Sequence, residues 1–228
     1  MKKSLLSLTL TSLLATSALV STQASAVEGL SANVAATSNY LWRGLEQTGG
    51  DAAISGGIDY AHDSGLYVGT WASNASWGDM KTELDLYFGF GGDISENISY
   101  DVGYIYYAYP DSVADENDFS EVYGSLSTGG FTFGVALLAD SEAGGDDFGD
   151  SVYATVDYGF ALASGAEIGL HVGDYGGDFL VNESTDFGVS ISKDGFTFGV
   201  SKVSFDDNVS SGEDDMKFYV SYAVDIDL

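Results

Sequence analysis

From about residue 30 onward, apolar and polar side chains trade places at every step, in stretches of about ten residues. The last stretch shows the pattern plainly. Phe218, Val220, Tyr222, Val224, Ile226 and Leu228 share one parity; Lys217, Tyr219, Ser221, Ala223, Asp225 and Asp227 share the other. Successive side chains of a β-strand point to opposite faces, so each such segment has one greasy face and one wet face. The pattern predicts twelve strands, over residues 30–42, 52–62, 65–75, 81–92, 97–109, 119–128, 130–140, 150–160, 166–175, 184–193, 195–205 and 214–226.

The connections narrow the choice of fold. Asp63-Ser64-Gly65, Asp93 to Glu96, Gly129, Ala161 to Gly165 and Asp194 are tight turns. Between them fall mostly longer, acidic connections, at 44–51, 110–118, 141–149, 176–183 and 206–213, with the shortest at 76–80. Short and long connections that alternate describe an up-and-down antiparallel transmembrane β-barrel, with short turns in the periplasm, long loops outside and both termini inside. A soluble β-sandwich also alternates, but its strands are shorter and its connections less regular.

The N-terminus reads as a targeting segment. Lys2 and Lys3 precede an apolar run from Leu5 to Val20, and Ala24-Ser25-Ala26 is a small-residue cleavage site. Residues 1–26 are therefore expected to be a cleaved signal peptide, and 27–228 the barrel. No later run reaches the roughly 18 apolar residues of a membrane-crossing helix. With no Cys there is no lipid-anchor cysteine and no disulfide framework. Taking Lys2 and Lys3 from the seven basic residues leaves five against 35 acidic ones, a net charge of −30. Such a surface repels nucleic acid. Fifteen Tyr, 13 Phe and three Trp argue against disorder, and a single Pro suits long strands.

Parity assigns the faces. Leu84, Leu86, Phe88 and Phe90, then Phe131, Phe133, Val135 and Leu137, then Ile168, Leu170 and Val172 point outward to lipid. Tyr40, Trp42, Tyr100, Tyr158 and Tyr222 fall on outward parity near strand ends, where an aromatic girdle belongs. The small inward residues Gly69, Gly89, Gly103, Gly134, Gly169, Gly188 and Gly199 leave room beside Tyr87, Tyr107 and Tyr219, which favours an open lumen. Gly130-Phe131-Thr132-Phe133-Gly134-Val135 recurs as Gly195-Phe196-Thr197-Phe198-Gly199-Val200, each copy opening the second strand of a hairpin.

Three stretches are distinctive: Ser38-Asn39-Tyr40-Leu41-Trp42-Arg43-Gly44-Leu45-Glu46-Gln47-Thr48, the run from Gly56 to Asn74, and Glu83-Leu84-Asp85-Leu86-Tyr87. Together they resemble the proteobacterial TorF family of porin-like proteins. The resemblance covers essentially the whole mature chain. It implies an outer-membrane β-barrel and supplies no catalytic residues.

The candidate functional residues lie on inward parity. Arg43, the one Arg in the chain, is expected at the outer mouth, either as a constriction charge or as an ion pair tying loop to wall. Asp59, Glu83, Asp85, Asp101, Glu121, Asp157, Glu167, Asp186 and Asp225 line the lumen with acid, beside His171 and Lys217. So few cations leave most of these acids without an ionic partner, which points to cation preference. The outer loops carry Asp111, Asp115, Glu116 and Asp118, then Glu142, Asp146, Asp147 and Asp150, then Asp206, Asp207, Glu213, Asp214 and Asp215. Solvation explains them, with divalent bridging to lipopolysaccharide phosphates as the alternative; no EF-hand spacing occurs.

Enzyme chemistry is not expected. His62 sits in an ordinary Asp-Ser-Gly turn, His171 faces inward, and no Gly-x-Ser-x-Gly elbow exists. The expectation is a narrow porin-like channel for small hydrophilic solutes, without a cofactor, embedded among outer-membrane lipid and lipopolysaccharide. A non-conducting barrel that displays acidic loops is the alternative. Outer-membrane barrels usually end in an aromatic residue; this chain ends in Leu228, with the alternation intact.

Overall fold

Strands whose outer face is greasy along its whole length leave two sheet edges to satisfy, and closing the sheet removes both. The computed structural model describes residues 28–112, 117–142, 148–177, 179, 183–205 and 214–228. They form β1 (Leu30–Thr37), β2 (Leu41–Trp42), β3 (Leu45–Glu46), β4 (Ala53–Ala61), β5 (Leu66–Trp77), β6 (Met80–Ser95), β7 (Ile98–Ala108), β8 (Phe119–Thr128), β9 (Phe131–Ser141), β10 (Val152–Ala161), β11 (Glu167–Gly176), β12 (Ser184–Lys193), β13 (Phe196–Phe205) and β14 (Lys217–Asp227). Twelve of these close into one antiparallel barrel in which each strand pairs with its sequence neighbours and β14 returns to β1. The expected fold class is borne out. The signal segment lies outside the described residues, as do Asp115, Glu116, Asp146, Asp147, Asp206, Asp207 and Glu213.

Inner parity runs unbroken around the wall. Asn33 opposes Asp225 on one side and Gly57 on the other; Gly57 opposes Trp71, Trp71 opposes Asp85, and Asp85 opposes Tyr107. Outer parity is as consistent. Phe88 is 58% exposed and Val189 53%, whereas Asp85 and Glu121 are each 4% exposed. Asp174 and Lys202 lie on outer parity near the long-loop ends of β11 and β13.

Three differences from expectation have physical reasons. The β5–β6 connection is only Gly78-Asp79, because both strands run longer and Trp77 pairs with Met80. In β9 a bulge opposite Ser120 and Glu121 adds one residue after Leu138, so that Ser120 pairs with Asp140, while Leu138 keeps its inward parity and is 1% exposed. β1 ends at Thr37 rather than 42. There Ser38 Oγ accepts the Val220 amide at 2.9 Å, and Thr37 Oγ1 donates to the Asn39 carbonyl at 2.9 Å. The first is the last tie to β14, and the second begins the turn off the wall.

The repeated hexapeptide marks one module used twice. Gly129-Gly130 and Asp194-Gly195 both have positive φ at each position, the sign of a type I′ hairpin. Beyond each turn, Phe131 packs on Tyr158 at 4.4 Å and Phe196 on Tyr222 at 4.6 Å on the outer face. Inside, Thr132 bonds Ser127 at 2.9 Å and Thr197 bonds Ser192 at 3.1 Å.

Candidate functional site: an inward hairpin across the lumen

The chain that leaves β1 turns into the barrel as the two-stranded hairpin β2–β3. Leu41 pairs with Glu46 and Trp42 with Leu45, with Arg43-Gly44 as the turn. Both turn residues have positive φ, 50° and 75°, again the type I′ pattern that favours a short hairpin. Gln47 N bonds the Tyr40 carbonyl at 2.8 Å, and Ser76 N bonds the Gln47 carbonyl at 2.7 Å, fixing the hairpin's root between β1 and β5.

From that root the hairpin touches inner-wall residues nearly all the way round. The Tyr40 hydroxyl donates to Glu83 at 2.8 Å, and its ring packs edge-on to Trp71 at 5.5 Å. Trp42 lies 6.3 Å from Tyr107 and 6.2 Å from Phe119. Arg43 reaches β8, where its Nη2 is 2.6 Å from both oxygens of Glu121. The guanidinium carbon lies 4.1 Å from the Trp42 ring centre, 4.4 Å from that of Tyr153 on β10 and 5.5 Å from that of Tyr175 on β11. Gly44 packs against Val203 on β13 and Asp186 on β12. In the strand order β9 stands opposite β1, so contact with β8 and β10 means that the hairpin spans the lumen. Burial works against the charge on Arg43, and the Glu121 carboxylate at 2.6 Å offsets that cost.

Tyr40 and Trp42 therefore do not belong to an outer girdle. Parity was extended through residue 42, but the wall strand stops at Thr37, and both rings are inside, Tyr40 buried at 9% exposure. Tyr100, Tyr158 and Tyr222 are on the outer face at the short-turn end.

The inward acids meet hydroxyls more than cations. Tyr67 donates to Asp101 at 2.9 Å, Tyr107 to Glu121 at 3.4 Å and Tyr153 to Asp186 at 2.9 Å. Tyr87 donates to Asp59, which also accepts from Asn33 at 3.2 Å. One ionic grouping is Arg43 with Glu121; another is His171, with Nδ1 2.6 Å from Asp157 and Nε2 3.0 Å from Asp186. Glu83 and Asp85 are both buried on one face of β6, and no ion pair reaches either among the described residues. Lys217 is buried at the long-loop end of β14. Glu167 and Asp225 are exposed at the short-turn end.

The tyrosines also change the role of the inward glycines. A Cβ on Gly69 would meet the Tyr87 ring at 2.4 Å; on Gly89, the Tyr67 hydroxyl at 2.2 Å; on Gly103, the Tyr123 hydroxyl at 2.4 Å; on Gly199, the Tyr219 ring at 2.1 Å. These glycines are floors under aromatic rings rather than empty width. The alternation of inward Gly and Tyr on paired strands was the signal in the sequence.

The remaining candidates are quickly placed. His62 Nδ1 bonds Ser64 Oγ at 2.9 Å inside its turn. Loop acids serve the backbone: Asp111 accepts from the Thr82 amide at 3.2 Å, and Asp118 from the Tyr109 amide at 2.7 Å. Among the described residues no group of three metal-ligating side chains is assembled.

Residues 21–224 match a family described as "Bacterial protein of unknown function (Gcw_chp)". No curated protein matches the chain in sequence. Among solved structures, the KdgM porin aligns at TM-score 0.53 with 8% identity, over 86% of this chain and 97% of that one. The KdgM porin in complex with disordered oligogalacturonate aligns at 0.51 with 9% identity, over 86% and 96%. Likeness at this identity is likeness of fold.

Proposed function

The chain belongs to the Gcw_chp family of bacterial proteins, whose function is unknown, and from that premise we propose that it is an outer-membrane, porin-type channel for small hydrophilic solutes. The observation that carries this reading is the closed twelve-strand barrel with an apolar outer face and an inner wall that carries the acids, interrupted by an apolar cluster of Ile105, Phe119 and Leu138 on β7, β8 and β9. Such a barrel suits a bilayer outside and water inside. The likeness of fold to the KdgM porin supports the same reading. Residues 1–26 act as the export signal, the long loops face outward among lipopolysaccharide, and Tyr100, Tyr158 and Tyr222 anchor the periplasmic interface.

The resemblance to the TorF family falls on the functional parts. Ser38 to Thr48 builds the inward hairpin, and Glu83 to Tyr87 forms the wall that Tyr40 touches. We assign cation preference to the inner wall, because Asp59, Asp101, Asp157, Glu167 and Asp225 face the half of the barrel nearer the short turns. That wall differs in chemistry from one suited to oligogalacturonate, the polyanion found with the KdgM porin. A non-conducting barrel is the second reading, and the hairpin across the lumen favours it.

Single-channel current in a planar bilayer under a KCl gradient tests both. Discrete steps with a cation-selective reversal potential support the channel. An inserted but silent barrel, or anion preference, overturns it or its selectivity.

A further inference from the structure

We infer that the wall around Arg43 is a guanidinium-binding site, and that the inward hairpin closes the barrel by supplying that site's own occupant. The inference rests on the channel reading and adds to it a ligand class: small solutes that carry a guanidinium group.

Apart from Trp42, whose ring at 4.1 Å belongs to the hairpin, the site is built by the wall. Glu121 on β8 provides the carboxylate, and Tyr153 on β10 and Tyr175 on β11 provide the aromatic faces. These parts are held in place by partners other than Arg43. The Tyr153 hydroxyl is fixed by Asp186 at 2.9 Å and by His171 at 3.1 Å, and Glu121 accepts from Tyr107. A buried carboxylate beside aromatic faces is matched by a planar, weakly hydrated cation. A guanidinium can hydrogen-bond in its plane and stack on its faces at once, whereas an ammonium has no face to stack. With Arg43 withdrawn, Glu121 would be a buried charge without a cation, which is costly until another one arrives.

The occupant is a tethered one. Arg43 is the first residue of a two-residue turn, one of two non-glycine positions with positive φ among the described residues. It sits at the tip of a hairpin whose own ladder is two residue pairs. Beyond its root, the polar contacts that hold the hairpin to the wall among the described residues include the Tyr40–Glu83 hydrogen bond and the Arg43–Glu121 pair. A short tether sets an effective concentration on the order of millimolar. A free guanidinium ion of similar intrinsic affinity therefore competes with Arg43 in that range, and its entry releases the hairpin tip and opens the lumen.

The experiment uses the mature chain, refolded, with guanidinium chloride as the probe. KCl at equal ionic strength and urea, the planar neutral analogue, are the controls. Two readouts are taken: conductance in a planar bilayer, and the midpoint of heat-induced change in gel migration. For the native chain, millimolar guanidinium raises conductance saturably toward the level of Arg43→Ala, and urea does not. For Arg43→Ala, conductance starts high, and guanidinium raises the heat midpoint without raising current. In Arg43→Ala/Glu121→Gln that rise in midpoint disappears. Native current that ignores guanidinium or responds equally to urea overturns the competition. An Arg43→Ala midpoint that guanidinium moves no more than KCl does overturns the site itself. If both barrels insert and stay silent, the channel reading fails, while the midpoint still decides whether guanidinium binds.

Discussion

The ring of Tyr87 fills the space that a side chain at Gly69 would take, and its hydroxyl reaches past Gly69 to Asp59 on the next strand. Tyr67 and Gly89 repeat the arrangement one register step away, with the Tyr67 hydroxyl carried to Asp101. Missing side chain, flat ring and anchored acid thus form one unit of the wall. The unit explains how so acidic an interior folds: each anchored carboxylate accepts a hydrogen bond that needs no counter-ion.

Gly69→Val tests that unit. The new side chain would press on the Tyr87 ring and break its bond to Asp59. Overpacking of this kind costs about 1–3 kcal/mol. The expected result is a lower heat midpoint for Gly69→Val, partly restored in Gly69→Val/Tyr87→Ala. Equal midpoints for Gly69→Val and the native chain would show that the ring moves aside freely.

Gly44→Ala tests the hairpin's seat. Gly44 has φ near 75°, and an added Cβ would lie 2.4 Å from Val203 Cγ2. The left-handed backbone costs a non-glycine residue roughly 1–2 kcal/mol before any clash is counted. The tip should lift from β13, so conductance should rise while the barrel keeps its heat-modifiable migration. A rise in current without loss of the barrel separates a displaced hairpin from a damaged wall.

His171→Gln tests the second ionic grouping. The imidazole stands between Asp157 and Asp186, with a ring nitrogen against each. Glutamine cannot serve both carboxylates with charge, and it leaves Asp186, the buried member, without a cation, at a cost toward the lower end of the roughly 3–5 kcal/mol of a fully buried pair. The heat midpoint should fall well below that of His62→Gln, a change at an exposed turn. Comparable midpoints for the two variants would show that the grouping contributes little.

The barrel was legible because its period is simple. A face that alternates through each wall strand, with register shifts only near strand ends, needs no knowledge of distant contacts. The hairpin was not legible by that rule. Tyr40 and Trp42 keep the parity of Val34 and Ala36 after the wall has ended, so parity alone points them outward although the chain leaves the wall after Ser38. Arg43-Gly44, set between Leu41-Trp42 and Leu45, was the available sign of a turn. Parity puts the acids on one face but says nothing of their partners. A count of Lys and Arg makes the acids look unpaired, whereas tyrosines two strands away supply the donors.

Asp59→Asn and Asp101→Asn, singly and together, test where selectivity arises. Asparagine is nearly isosteric with aspartate, and its carbonyl oxygen can still accept from Tyr87 or Tyr67, so the wall unit survives while its charge is lost. Both residues are partly exposed toward the half of the lumen beneath the hairpin, where a mobile cation can approach them. A ring of carboxylates favours cations through its field, and that field scales with the number of charges left. The reversal potential under a KCl gradient should therefore step toward zero with each substitution and furthest in the double variant, at unchanged heat midpoint. A potential that stays put while the midpoint also holds would move the selectivity to Glu83 and Asp85, the buried pair at the level of the hairpin.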